Sequence, residues 1–233
     1  LPNNWVSKFG GPVWTLDERT DSYYLHLYDV TQADLNWEYE PMRQEIYKMM
    51  RHWLDLGIDG FRLDVINLLS KDQNFPDDTL NTFTDDGRKY YTDGPKIHDY
   101  LKEMNKEVFS RYNNVITVGE MSSTSLEACI EYTKPESKEL SMIFSFHHLK
   151  TDYKNKDKWE LQKPDIMELK EYFTKWQNGM EKESGWSALF WCNHDQPRIV
   201  SRMGNETEYR YESAAMLATL IHMMQGTPYI YQG

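Results

Sequence analysis

The segment Gly60-Phe61-Arg62-Leu63-Asp64-Val65 sets a guanidinium and a carboxylate two residues apart in an apolar run. Side chains two apart on a strand share a face, so Arg62 and Asp64 point one way and Phe61, Leu63 and Val65 the other. Enclosing such a pair carries a large desolvation cost unless the charges meet, and a neighbouring guanidinium then keeps the carboxylate ionised. A sheltered, ionised Asp64 is a competent nucleophile, although the same pattern also serves as a structural ion pair. A second carboxylate, Glu120, ends the apolar run VITVGE. Partial burial there would raise its pKa toward that of a general acid; a charge at the start of the next helix is the other reading. A third, Asp195, stands beside His194 in Asn193-His194-Asp195-Gln196-Pro197-Arg198, where the pair suits sugar hydroxyls, a metal or a turn cap. Three carboxylates closing three strands match a barrel, whose catalytic groups gather at strand C-termini.

The elements that must hold these groups alternate between short apolar runs and longer amphipathic ones. Strands are expected at 58–66, 115–120, 140–146, 187–193 and 227–233, and helices at 41–56, 95–112, 124–134, 165–182 and 208–225. Residues 1–37 and 72–94 read as loops. This is an α/β pattern with right-handed parallel crossovers, which leaves a doubly wound sheet and a barrel as the two architectures.

The net charge of -11 argues against nucleic acid and anionic membranes as partners, since both need a positive field. Aromatic residues reach 14%, including 8 Trp and 16 Tyr; flat rings stack on sugars, although they also fill cores. The two cysteines, Cys129 and Cys192, are far apart and form neither CxxC nor a zinc spacing, so buried free thiols in a cytoplasmic protein are expected. No metal site and no cofactor are expected.

GFRLDVIN (60–67), VGEM (118–121) and NHDQPR (193–198), preceded by QADLNW (32–37), resemble the conserved regions of glycoside hydrolase family 13, the amylases and α-glucosidases. The resemblance implies a (β/α)8 TIM barrel and retaining hydrolysis of an α-glucosidic bond. It makes Asp64 the nucleophile, Glu120 the acid/base and Asp195 the transition-state stabiliser, with Arg62 and His194 positioning the nucleophile and the sugar. The two carboxyl groups of a retaining enzyme stand about 5–5.5 Å apart.

Within the family, YYLHLYDVTQADLNWE and IHMMQGTPYIYQG resemble the oligo-1,6-glucosidase branch, in which the residue at Val65 goes with bonds other than α-1,4. Ordinary packing would also account for that valine. GEMSST, FSFHHLK and WCNHDQPR narrow the resemblance to members that split trehalose 6-phosphate into glucose and glucose 6-phosphate. The chemistry of one loop agrees: His147, His148 and Lys150, with Lys154, Lys156 and Lys158, gather donors and positive charge in an acidic chain. His147, His148, Lys150 and Lys158 are the expected phosphate-binding residues; a merely solvated lysine-rich loop is the alternative. The expected partner is thus a small sugar phosphate, or else a neutral isomalto-oligosaccharide. A non-catalytic barrel homologue is the reading from another class.

A barrel of this family has eight strands, and five are countable here. The expectation is therefore a partial barrel, about strands 4 to 8, with 1–37 the end of the loop domain inserted after strand 3 and 38–233 the C-terminal part of the catalytic barrel. Leu1-Pro2-Asn3-Asn4 is not read as a natural start. Expressed alone, such a piece is expected to be inactive, with open sheet edges exposed.

Overall fold

The structure, a computed structural model, describes residues 1–79, 86–157 and 160–232. In chain order its elements are β1 (Trp14–Asp17), β2 (Ser22–Leu25), α1 (Glu40–Asp55), β3 (Gly60–Leu63), α2 (Ile97–Glu107), β4 (Ile116–Glu120), α3 (Leu126–Thr133), β5 (Met142–Phe144), α4 (Ile166–Lys182), β6 (Ala188–Leu189), α5 (Ile199–Met203), α6 (Arg210–His222) and β7 (Thr227–Pro228). They form two compact units, Leu1–Asp59 with Ile66–Val115, and Gly60–Val65 with Ile116–Gly233.

The first unit holds a hairpin where a loop was expected. β1 and β2 pair antiparallel, Trp14 opposite Leu25. Each strand is only four residues long, too short for alternation to stand out from a loop. Trp5 is its buried anchor, stacked on Tyr90 at 5.8 Å and 6°. α1 begins with a proline in its first turn and buries Tyr47, Met50 and Leu54. It is tied to α2 through Glu103, which accepts from Arg43 Nε at 2.8 Å and from the Tyr47 hydroxyl at 3.3 Å.

The second unit carries every predicted site residue that the structure describes. β3, β4 and β5 form a parallel sheet in that order. A parallel bridge from Ile143 to Ser187 continues it toward β6, and β6 pairs parallel with β7. Each strand therefore neighbours the next one in sequence. That is the order of a barrel wall, and it lacks the reversal that defines a doubly wound sheet. At Gly60 the strands approach so closely that a Cβ would fall 1.8 Å from the Ile116 carbonyl oxygen, so only glycine fits.

Leu169 of α4 and Leu217 and Ile221 of α6 pack with Leu189, Phe190 and Trp191, and Phe144, Phe146 and Phe173 lie against this cluster. Two of the helices start on true caps: the Ser125 side chain accepts from Ala128 N–H, and Asp165 accepts from Met167 and Glu168 N–H. Among the described residues no helix is long and apolar enough to cross a membrane.

Three further expectations change. β3 stops at Leu63 rather than at residue 66, because Val65 adopts φ 35° and turns the chain out of the strand. Val65 is therefore not a third member of the Phe61–Leu63 face. The last two strands are short, two residues each, and the end of the run expected at 227–233 falls on Gly233, outside the described residues. Finally, α5 occupies a stretch that the sequence left without an element.

Candidate active site

β3 and β4 lie side by side with Leu63 opposite Gly119, so the residues just beyond, Asp64 and Glu120, leave adjacent strand ends together. Arg62 sits one turn of the pleat before Asp64 on the same face. Its guanidinium binds both carboxylates: Nη1 donates to Asp64 Oδ1, and Nη2 donates to Glu120 Oε2 at 2.5 Å. The backbone N–H of Val65 adds a donor to Glu120 Oε2 at 3.3 Å. A β-branched residue at positive φ is strained, and here the strained turn aims that N–H at the carboxylate.

The two carboxyls live in different surroundings. The Asp64 side chain is 74% exposed, whereas that of Glu120 is 9% exposed. Burial lifts Glu120 to about 7, helped by its hydrogen bond with Asp64 and by the charge of Asp64, against the pull of Arg62 and the Val65 N–H. Asp64 moves the other way: burial alone would raise it, but hydrogen bonds from Arg62 and Glu120, with the charges of Arg62 and His194, outweigh burial and lower it. A pair of carboxyls driven apart in this manner can divide the labour, one staying ionised and the other carrying a proton at neutral pH.

Asp195 and His194 occupy the loop after β6. His194 Nε2 lies 3.2 Å from Asp195 Oδ2, and Asn193 Oδ1 accepts from the Asp195 N–H at 2.8 Å. Both side chains are well exposed, 63% and 59%. Arg62, Asn193 and His194 line one cleft of about 310 Å³, walled by Phe144, Phe190, Tyr229 and Tyr231. Such flat apolar walls with convergent polar groups suit a sugar ring. The four aromatics were invisible as site residues, since nothing in sequence separates a cleft wall from a core.

The expected phosphate cluster is only partly assembled. His148 is buried, with Nε2 2.7 Å from the Phe190 carbonyl and its ring against Tyr172, Phe173, Phe190 and Trp191. Burial pushes it to about 4. It is neutral at pH 7 and borders a cavity of about 30 Å³, too small for a phosphate, which speaks against its expected role. His147 stacks on Tyr172 at 5.8 Å and 13°, and burial, reinforced by Lys150 and Lys175, brings it to about 4 as well. Its Nδ1 is buried without a hydrogen-bond partner among the described residues. Lys150 is exposed. Lys154 pairs with Glu160, and Lys158 lies outside the described residues. Any positive charge offered by this loop is therefore lysine charge. Among the described residues no group of three or more His, Cys, Asp or Glu could hold a metal ion.

Comparison with known proteins gives the same direction. A family model described as the alpha amylase catalytic domain matches residues 1–233. The chain is 62% identical over its whole length to trehalose-6-phosphate hydrolase of Bacillus subtilis (strain 168) and 52% identical to oligo-1,6-glucosidase of Bacillus cereus. It spans 41% of the length of each. The crystal structure of Bacillus licheniformis trehalose-6-phosphate hydrolase superposes with a TM-score of 0.95 at 62% identity, covering 100% of this chain and 41% of that one.

Proposed function

The chain belongs to the alpha-amylase family, and from that premise we propose that the whole protein is a retaining glycoside hydrolase that cleaves the α-glucosidic bond of trehalose 6-phosphate. The observation that carries the reaction is the Arg62-bridged pair, with Glu120 raised to about 7 and Asp64 lowered. Glu120 protonates the departing glycosidic oxygen while Asp64 attacks the anomeric carbon and forms a glycosyl-enzyme. Glu120, now ionised, takes a proton from the water that releases the sugar. Asp195 and His194 hold hydroxyls of the ring as it flattens, and Arg62 keeps Asp64 ionised between turnovers. No step in this scheme calls for a cofactor.

Support for the phosphorylated substrate comes from the 62% identity to a trehalose-6-phosphate hydrolase and from the lysines of the loop after β5. Lys150 is the preferred phosphate ligand in this reading, with Lys158 a second; His147 contributes shape rather than charge. A neutral isomalto-oligosaccharide is the competing substrate, favoured by the neutrality of both histidines and by the 52% identity to an oligo-1,6-glucosidase. We further propose that the parallel strands are strands 4 to 8 of a TIM barrel, that 1–37 is the end of its inserted loop domain, and that 38–233 belongs to the barrel. We also propose a cytoplasmic setting, with which two cysteines not joined in a disulfide, Cys129 and Cys192, agree. The test is kcat/KM of the full-length protein on trehalose 6-phosphate and on isomaltose. A strong preference for the phosphorylated sugar is expected, and comparable values would overturn the phosphate assignment.

A further inference from the structure

Arg202 has no part in the chemistry above, yet it is one of the most enclosed charges in its unit. Its side chain is 5% exposed and that of its partner Asp152 is 2% exposed. The contact is a two-pronged fork, Nε to Asp152 Oδ2 at 2.6 Å and Nη2 to Asp152 Oδ1 at 2.7 Å. Nη2 also donates to the Leu149 carbonyl, and Nη1 donates to Gln196 Oε1 at 2.9 Å. One guanidinium thus touches the neighbour of Lys150 on one loop and the neighbour of Asp195 on another.

Fully enclosed ion pairs add little net stability, because desolvation offsets most of the attraction, and apolar residues of similar size often do as well. The planar fork of arginine does something else: its donors sit at fixed angles, so both loops must keep one register for all four bonds to form. The loop after β5 is rigid on its other side too. The Gln162 N–H donates to the Asp152 carbonyl at 2.8 Å, and the Asp165 N–H, at the cap of α4, donates to the Thr151 carbonyl at 2.9 Å.

We propose that Arg202, through Asp152, Leu149 and Gln196, is a positioning residue that sets the distance between the anion-recognising loop and the loop holding the sugar over the carboxylates. The inference rests on the trehalose 6-phosphate reading. Trehalose 6-phosphate carries its phosphate on one glucose and is cleaved between its two rings, so it must satisfy both loops at once; a neutral aryl glucoside needs only the second. Displacements of about 1 Å in such a frame cost up to about 100-fold in rate.

The experiment uses the full-length protein and two variants, Asp152→Asn and the double change Asp152→Leu with Arg202→Met. The double variant replaces the ion pair by an apolar one, and so separates loss of register from loss of fold. Each is assayed on trehalose 6-phosphate and on p-nitrophenyl α-glucoside, with thermal melts alongside. The expected result is a fall of about tenfold or more in the preference for the phosphorylated substrate. It should be carried by KM for that substrate, with a smaller loss on the aryl glucoside. Equal proportional losses on both substrates, or an unchanged preference in the folded double variant, would overturn the proposal. A wild-type protein without any preference would instead sink the underlying substrate reading, and this inference with it.

Discussion

Replacing Glu120 by glutamine in the full-length protein keeps the shape of the side chain and removes its proton. With Glu120 at about 7, the protonated fraction is about 90% at about pH 6 and about 10% at about pH 8, so kcat/KM should fall about tenfold over that interval. The sign follows from the roles: the acid works protonated, below about 7, while Asp64, whose pKa is lowered, is ionised across the same range. Glu120→Gln should cost about 10²- to 10⁴-fold in kcat on trehalose 6-phosphate, the usual worth of a general acid. The loss in the glycosylation step should be far smaller on p-nitrophenyl α-glucoside, because p-nitrophenolate leaves without being protonated. The alkaline limb near 7 should vanish. Steady-state kinetics on both substrates across pH measures all three effects. A variant that keeps the limb, or whose kcat/KM falls equally on both substrates, would show that Glu120 is not the acid.

Two further outcomes follow from the same geometry. Arg62→Gln removes a charge that lowers both Glu120 and Asp64, so both limbs of the pH profile should move to higher pH; a shift of either limb downward would contradict the bridging role. Lys150→Ala should raise KM for trehalose 6-phosphate by about 10- to 100-fold, the value of a charged hydrogen bond, and leave isomaltose within about twofold. Equal rises on both sugars would point to general damage of the loop.

The geometry of the candidate site was largely legible, and the reason is local. Period-two alternation alone puts Arg62 beside Asp64, and a strand ending in Gly119-Glu120 presents its carboxylate where β3 ends. What escaped depends on partners distant in sequence. His147 and His148 look like ligands in a chain of letters; Tyr172, Phe173 and Trp176, from α4, enclose them and turn them into neutral packing groups. Val65 reads as strand because it is β-branched, and only its φ of 35° shows the turn that delivers its N–H to Glu120. The Asp152–Arg202 fork joins residues 50 apart, and neither carries a motif that would announce it.

The central claim is that Asp64 becomes covalently bonded to the sugar during turnover. Incubating the full-length protein with a fluorinated α-glucosyl fluoride slows the second step and should accumulate the intermediate. Intact-mass analysis and peptide mapping should then find one fluoroglucosyl unit on the peptide containing Asp64, absent in Asp64→Asn. A label on another carboxylate, or turnover with inversion and no label at all, would contradict the account.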